Sequence, residues 1–184
     1  MSRINLPNKL TLLRILLVPF FIASCTFDSW LPWWRVLAAV IFVVAALTDL
    51  VDGYIARSRN LVTNFGKLMD PIADKLLFCS AFIMLTWRHE LSPILCVLFI
   101  AREFVISGFR LVAASSGSVI AASKIGKAKT ATQAVAIVAT LLNNPIFSLW
   151  GIPFDDIMMY VAAILAVWSA ADYIWKNRKA VSWE

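Results

Sequence analysis

The chain has 184 residues, is 61% hydrophobic and has a mean hydropathy of +0.80, which is too apolar for a water-soluble domain. An integral membrane protein forming one domain over residues 1–184 is the class that remains. The formal net charge is +6, but its placement says more than its size, and no nucleic-acid partner is expected. Cys25, Cys79 and Cys96 are scattered without a CxxC spacing. They read as buried fillers, neither a disulfide frame nor a metal site.

In chain order, Ser2–Lys9 is polar with alternating apolar positions and reads as a short N-terminal interfacial helix, with Pro7 suited to a turn or a helix start. Leu10–Phe27 is the first span, with Thr11 and Arg14 near its start, where a long cationic side chain reaches the interface. Ile22-Ala23-Ser24-Cys25 looks like a lipoprotein cleavage box. The short apolar run Ile15–Phe21, its Pro19 and the long polar head speak against cleavage. Trp30, Trp33 and Trp34 mark the far interface. The second span is Trp34–Arg57, followed by a polar turn over Asn60–Gly66. The third is Phe65–Trp87, where Pro71 predicts a kink or a helix start. His89 lies in the next turn, as a solvated surface residue between Arg88 and Glu90. The fourth span is Pro93–Ala114, and Ser115–Lys129 reads as a Ser/Gly/Lys-rich connection. Thr130–Leu142 is the fifth span. It is short for a bilayer that needs about 20 residues, so a start near Ile125 is expected. A loop over Asn143–Asp156 and a sixth span, Ile157–Trp175, complete the chain.

The cations orient this all-α bundle of six transmembrane helices. One side collects Arg3, Lys9, Arg57, Arg59, Lys67, Arg110, Lys124, Lys127, Lys129, Lys176, Arg178 and Lys179. The other has Arg35 and Arg88 beside Asp28, Glu90, Asp155 and Asp156. By the positive-inside rule both termini are cytoplasmic.

Four carboxylates, Asp49, Asp52, Asp70 and Asp74, interrupt the apolar sequence. The spacings i, i+3 and i, i+4 put each pair on one helical face. Two such faces brought together form a cage that repels itself unless cations sit inside, and Mg²⁺ or Mn²⁺ suit an all-oxygen donor set. A plain ion-pair network, such as Asp74 with Lys75 or Asp52 with Arg57, is the bland alternative. Carboxylates in a membrane are costly enough to call for a function. Gly53, Ala56 and Gly66 leave room for a ligand or a neighbouring backbone, and Arg57 at the membrane edge suits a phosphate or a snorkelling anchor.

The run Asp49-x2-Asp52-Gly53-x2-Ala56-Arg57-x8-Gly66-x3-Asp70-x3-Asp74 resembles the full signature of the CDP-alcohol phosphotransferase family. Asn5-Leu6-Pro7-Asn8, Thr11, Arg14, Ala101-Arg102-Glu103-Phe104 and Ile125-Gly126-Lys127-Ala128-Lys129-Thr130 are similar to its bacterial phosphatidylglycerophosphate synthase branch. The resemblance implies an enzyme of the cytoplasmic (inner) membrane, with its active site facing the cytoplasm. It implies transfer of a phosphatidyl group from CDP-diacylglycerol to sn-glycerol 3-phosphate with release of CMP. It also implies two divalent ions on Asp49, Asp52, Asp70 and Asp74, with Asp74 as general base. Asn8, Thr11, Asp49, Asp52, Gly53, Ala56, Arg57 and Gly66 would bind the CDP-diacylglycerol. A homodimer is implied as well.

An acceptor bearing its own phosphate needs a second anion pocket. Arg102, Arg110, Lys124, Lys127 and Lys129 are the candidates. Arg102 and Arg110 fall about 80° apart on a helix, so both can face one cavity. Glu103 balances one of these charges. Other acceptors (inositol phosphate, serine or phosphatidylglycerol) would keep the same signature. A cation-coupled transporter is the reading outside this class, and a structural scaffold would leave the four acids unexplained.

Overall fold

The computed structural model describes residues 6–27, 33–58, 64–115 and 123–178. Among them every regular element is helical: α1 (Leu6–Thr26), α2 (Trp34–Ser58), α3 (Asn64–Trp87), α4 (Pro93–Ser115), α5 (Lys124–Leu141) and α6 (Phe154–Asn177), with one 3₁₀ turn at Phe147–Trp150. The contacts divide the chain into two compact units, residues 1–87 and 88–184.

In the first unit, α1 packs on α2 and α3, and α2 also touches α3. The buried positions of α1 recur at helical spacing: Asn8, Thr11, Arg14, Val18, Phe21, Ser24 and Cys25. The stripe is polar in its first half and apolar in its second, apart from Ser24, whose Oγ donates to the Phe21 carbonyl at 2.7 Å. Phe21 meets Phe42 with ring centroids 6.2 Å apart, and Phe42 meets Phe78 edge-on at 5.4 Å. Nearer the start of α1, Arg14 Nε donates to the Ala45 carbonyl at 3.3 Å. Rising numbers on α1 thus meet falling numbers on α2, so the two helices run antiparallel. α3 must turn back in the same way. α2 has 25 residues and is about 37 Å long, whereas the five residues joining it to α3 reach about 20 Å at most.

Two expectations change here. Residues 6–9 of the expected interfacial segment form the first turn of α1, continuous with the span, and the rest of that segment lies outside the described residues. Pro7 sits in that first turn, where its missing N–H costs nothing. Arg14 does not snorkel to an interface. It is 0% exposed, because it shares the inward stripe with Thr11 and Val18. α3 continues through Pro71, and α1 through Pro19.

In the second unit, α6 packs against both α4 and α5. Its buried face is mostly small, Ala162, Ala163, Ala166 and Ser169 between Met159 and Tyr173, which lets neighbouring backbones approach. α5 begins at Lys124, capped by Ser123, whose Oγ accepts from the Gly126 N–H at 3.0 Å. α5 stops after Leu141, where Asn143 and Asn144 take left-handed φ values of 60° and 50°. Asn144 Nδ2 then donates to the Ile152 carbonyl at 2.7 Å and pins the following loop. His89 is exposed at φ 60° in the turn where Arg88 pairs with Glu90 at 3.3 Å. None of the three cysteines forms a disulfide; Cys25 and Cys96 are buried and Cys79 is half-buried.

The outward faces are apolar, with Leu16, Phe20, Phe104, Leu111, Ile164 and Trp168 all exposed. Lipid tolerates such faces and water does not. Among the described residues, Asn8–Thr26 and Phe154–Asn177 are long and apolar enough to cross a membrane, and Trp34–Thr48 is a shorter apolar run.

Candidate active site

The four acids lie where α2 ends and α3 begins. Asp49 and Asp52 fall in the last three turns of α2, and Asp70 and Asp74 in the first half of α3. The Phe42–Phe78 contact sets the register of this antiparallel pair. Position 49 is two turns beyond Phe42 on nearly the same face, and positions 74 and 70 are one and two turns before Phe78. From the ring contact, positions 49 and 70 are therefore about 10 Å and 12 Å along the hairpin, in the same direction. Asp74 is half-buried. The side chains of Asp49, Asp52, Gly53, Ala56, Arg57, Gly66 and Asp70 lie outside the described residues. No three His, Cys, Asp or Glu side chains group as a metal site among the described residues, and three of these four acids are not among them. As a donor set the four fit a hard divalent cation, since all are carboxylates.

α1 brings Asn8, Thr11 and Arg14 to the same unit, buried on one stripe. Ala45, which holds Arg14, is one turn before position 49 on α2.

The second unit sorts the candidate cations by what they already hold. Glu103 accepts an ion-paired hydrogen bond from Lys129 Nζ and another, at 3.3 Å, from Arg102 Nη1. Arg102 Nη2 donates to Ser169 Oγ at 3.0 Å, and Ser169 Oγ donates in turn to the Ala166 carbonyl at 3.1 Å. Both terminal nitrogens of Arg102 are thus spent inside the protein, and Lys129 is a buried strut between α5 and α4. The α5 N-terminus abuts this cluster. A Cβ at Gly126 would meet Ser123 Oγ at 3.2 Å and lie 4.0 Å from Arg102 Nη2.

Arg110 is different. It is exposed, its Nε donates to Tyr173 Oη at 3.0 Å, and its guanidinium lies 5.2 Å from the Tyr173 ring centroid. Its two terminal nitrogens make no hydrogen bond among the described residues. Lys127 is also exposed, whereas the side chain of Lys124 lies outside the described residues. α4 and α6 run parallel, since Arg102 meets Ser169 and Arg110 meets Tyr173, and the loop pinned by Asn144 turns α6 back along α5. Beyond the Glu103–Lys129 pair, α4 therefore runs onward to Arg110 as α5 runs back toward Lys127 and Lys124. These three positions share one end of the unit.

Sequence reading did not single out Ser169, Tyr173 or Gln133. Gln133 follows Lys129 by one turn, is 1% exposed, and its Nε2, like Arg102 Nε, is a buried donor with no acceptor among the described residues. Each of the three sits on an apolar stripe that looks like ordinary core.

The profile of the CDP-alcohol phosphatidyltransferase family matches residues 4–168, nearly the whole chain and both units. The chain belongs to this family.

As a CDP-alcohol phosphatidyltransferase it is a transferase enzyme, and curated relatives cover it almost end to end. It is 44% identical over 189 aligned positions to a Bacillus subtilis protein, covering 96% of this chain and 97% of the relative. It is 39% identical over 170 positions to a Rickettsia bellii protein and 40% over 174 to a Shigella flexneri protein, covering 92% of this chain and 93% of each relative. All three are named CDP-diacylglycerol–glycerol-3-phosphate 3-phosphatidyltransferase.

Proposed function

We propose that the chain transfers the phosphatidyl group of CDP-diacylglycerol to sn-glycerol 3-phosphate, forming phosphatidylglycerol phosphate and CMP. The observation that carries this reading is the acidic signature on the α2–α3 hairpin, in a chain whose relatives bear that enzyme's name over their whole length.

Asp49, Asp52, Asp70 and Asp74 would hold two Mg²⁺ or Mn²⁺ ions, which supply positive charge against the pyrophosphate and the departing CMP. Asp74 takes the proton of the acceptor hydroxyl as its oxygen bonds to the lipid-bearing phosphorus. The bond from that phosphorus to CMP breaks, and CMP carries away the electron pair. Asn8, Thr11, Gly53, Ala56, Arg57 and Gly66 bind the CDP-diacylglycerol. Arg14, buried one turn from position 49, adds a fixed positive charge on that side. Arg110, Lys127 and Lys124 receive the acceptor's phosphate, and Arg102 and Lys129 brace their helices through Glu103.

The six helices span the inner membrane with both termini cytoplasmic, and the acidic hairpin ends face the cytoplasm. The support is the distribution of Lys and Arg and the apolar outward faces. The family resemblance adds a homodimer.

The test is CMP release by the purified protein with glycerol 3-phosphate, inositol phosphate or no acceptor, before and after chelation. Release should need both a divalent ion and glycerol 3-phosphate. Faster release with inositol phosphate would refute the acceptor assignment. Full release after exhaustive chelation would refute the role of the ions.

A further inference from the structure

We propose that Tyr173 is a positioning residue for the acceptor phosphate: it holds Arg110 by Nε, so that the guanidinium presents its two terminal nitrogens as a fixed fork. This rests on Arg110 being a ligand of that phosphate.

Tyr173 is 3% exposed on the inner face of α6. A buried phenol needs a partner for its hydroxyl, and here the hydroxyl accepts from Arg110 Nε at 3.0 Å. The ring itself is held on two sides. Phe109 meets it edge-on at 6.0 Å and 76°, and the Arg110 guanidinium lies 5.2 Å from its centroid. The helix turn beneath is closed by Asn177 Nδ2, which donates to the Tyr173 carbonyl at 2.7 Å. The tyrosine is therefore a rigid anchor on a rigid helix.

The choice of atom matters. An arginine that merely ties two helices together can spend its terminal nitrogens, as Arg102 does on Glu103 and Ser169. Among the described residues Arg110 spends only Nε, and it remains exposed. Two parallel N–H bonds from the free end match two oxygens of a phosphate monoester. With Nε fixed and the guanidinium laid against a ring, much of the freedom an arginine would lose on binding phosphate is already gone. Arg102–Ser169 and Arg110–Tyr173 ascend α4 and α6 together, so α6 aligns both arginines: one is braced and the other is aimed.

The test measures steady-state CMP release by the full-length protein in lipid–detergent micelles, for Tyr173→Phe, Arg110→Ala and the double variant. Tyr173→Phe keeps the ring and loses only the hydroxyl. Its KM for glycerol 3-phosphate should rise about 3- to 10-fold, the range of one lost hydrogen bond, with kcat and the KM for CDP-diacylglycerol within about 2-fold. Arg110→Ala should raise the same KM further, and Tyr173→Phe should add nothing in that background. An unchanged KM in Tyr173→Phe beside a raised one in Arg110→Ala overturns the inference and leaves the phosphate reading standing. Independent, multiplying effects overturn it as well. A parallel loss in kcat and both KM values reduces Tyr173 to packing and overturns it. A normal acceptor KM in Arg110→Ala removes the phosphate reading and the inference together.

Discussion

Glu103→Gln is the sharpest probe of the buried cluster. Glu103 is shared by Lys129, whose side chain is 2% exposed, and Arg102, 13% exposed, and is itself only 16% exposed. The three carry one net positive charge. The amide variant leaves two cations side by side without the carboxylate they share. Removing one partner of a buried pair costs about 3–5 kcal/mol, and the retained amide oxygen lowers the expected loss to about 2–4 kcal/mol. Lys129→Met does the opposite: it leaves Arg102 and Glu103 as a balanced pair, and its cost should stay within about 1 kcal/mol. At roughly 2–4 °C per kcal/mol for a chain of this size, Glu103→Gln lowers the unfolding midpoint by about 5–15 °C and Lys129→Met by less than about 4 °C. Tryptophan-fluorescence melts in one detergent at one scan rate give both values. Equal midpoints, or a larger fall for Lys129→Met, would refute the charge argument.

Asp74→Asn should lower CMP release by at least about 10²-fold while CDP-diacylglycerol still binds, read by turnover and by equilibrium binding of the nucleotide lipid. Phe42→Ala opens a cavity between Phe21 and Phe78, and should cost about 3–5 kcal/mol in the same melts. Asn144→Ala loses the bond to Ile152 and strains a left-handed backbone at φ 50°, for about 1–3 kcal/mol; Asn144→Gly, which relieves the strain alone, should fall between it and the wild type.

Helix positions were legible because apolar runs and turn residues alternate so regularly. The expected sixth span, Ile157–Trp175, sits inside α6 at Phe154–Asn177. The fifth span, Thr130–Leu142, is short for a bilayer and calls for a start near Ile125; α5 begins one residue before that, at Lys124. The inward turn of Lys129 was not legible, because its partner Glu103 lies 26 residues away in sequence. Arg14 misled for the same reason. A cation near a span's end usually snorkels, and only the i+3, i+4 pattern of its neighbours shows that it faces the core. The acidic signature was legible because its spacing is local to two adjacent helices. Tyr173 and Ser169 were not, because their partners Arg110 and Arg102 lie 63 and 67 residues earlier.

α5 has a consequence for biogenesis. It carries Lys129, Gln133 and Thr140 on its buried face, and among the described residues it is not one of the helices apolar enough to cross a membrane unaided. A segment with such a face gains little by entering lipid alone. α6, which passes that test and packs along α5, supplies a companion. On the six-span reading, the insertion machinery would take up the two helices as a pair, and α5 would depend on α6 to stay in the bilayer while α4 brings in Glu103.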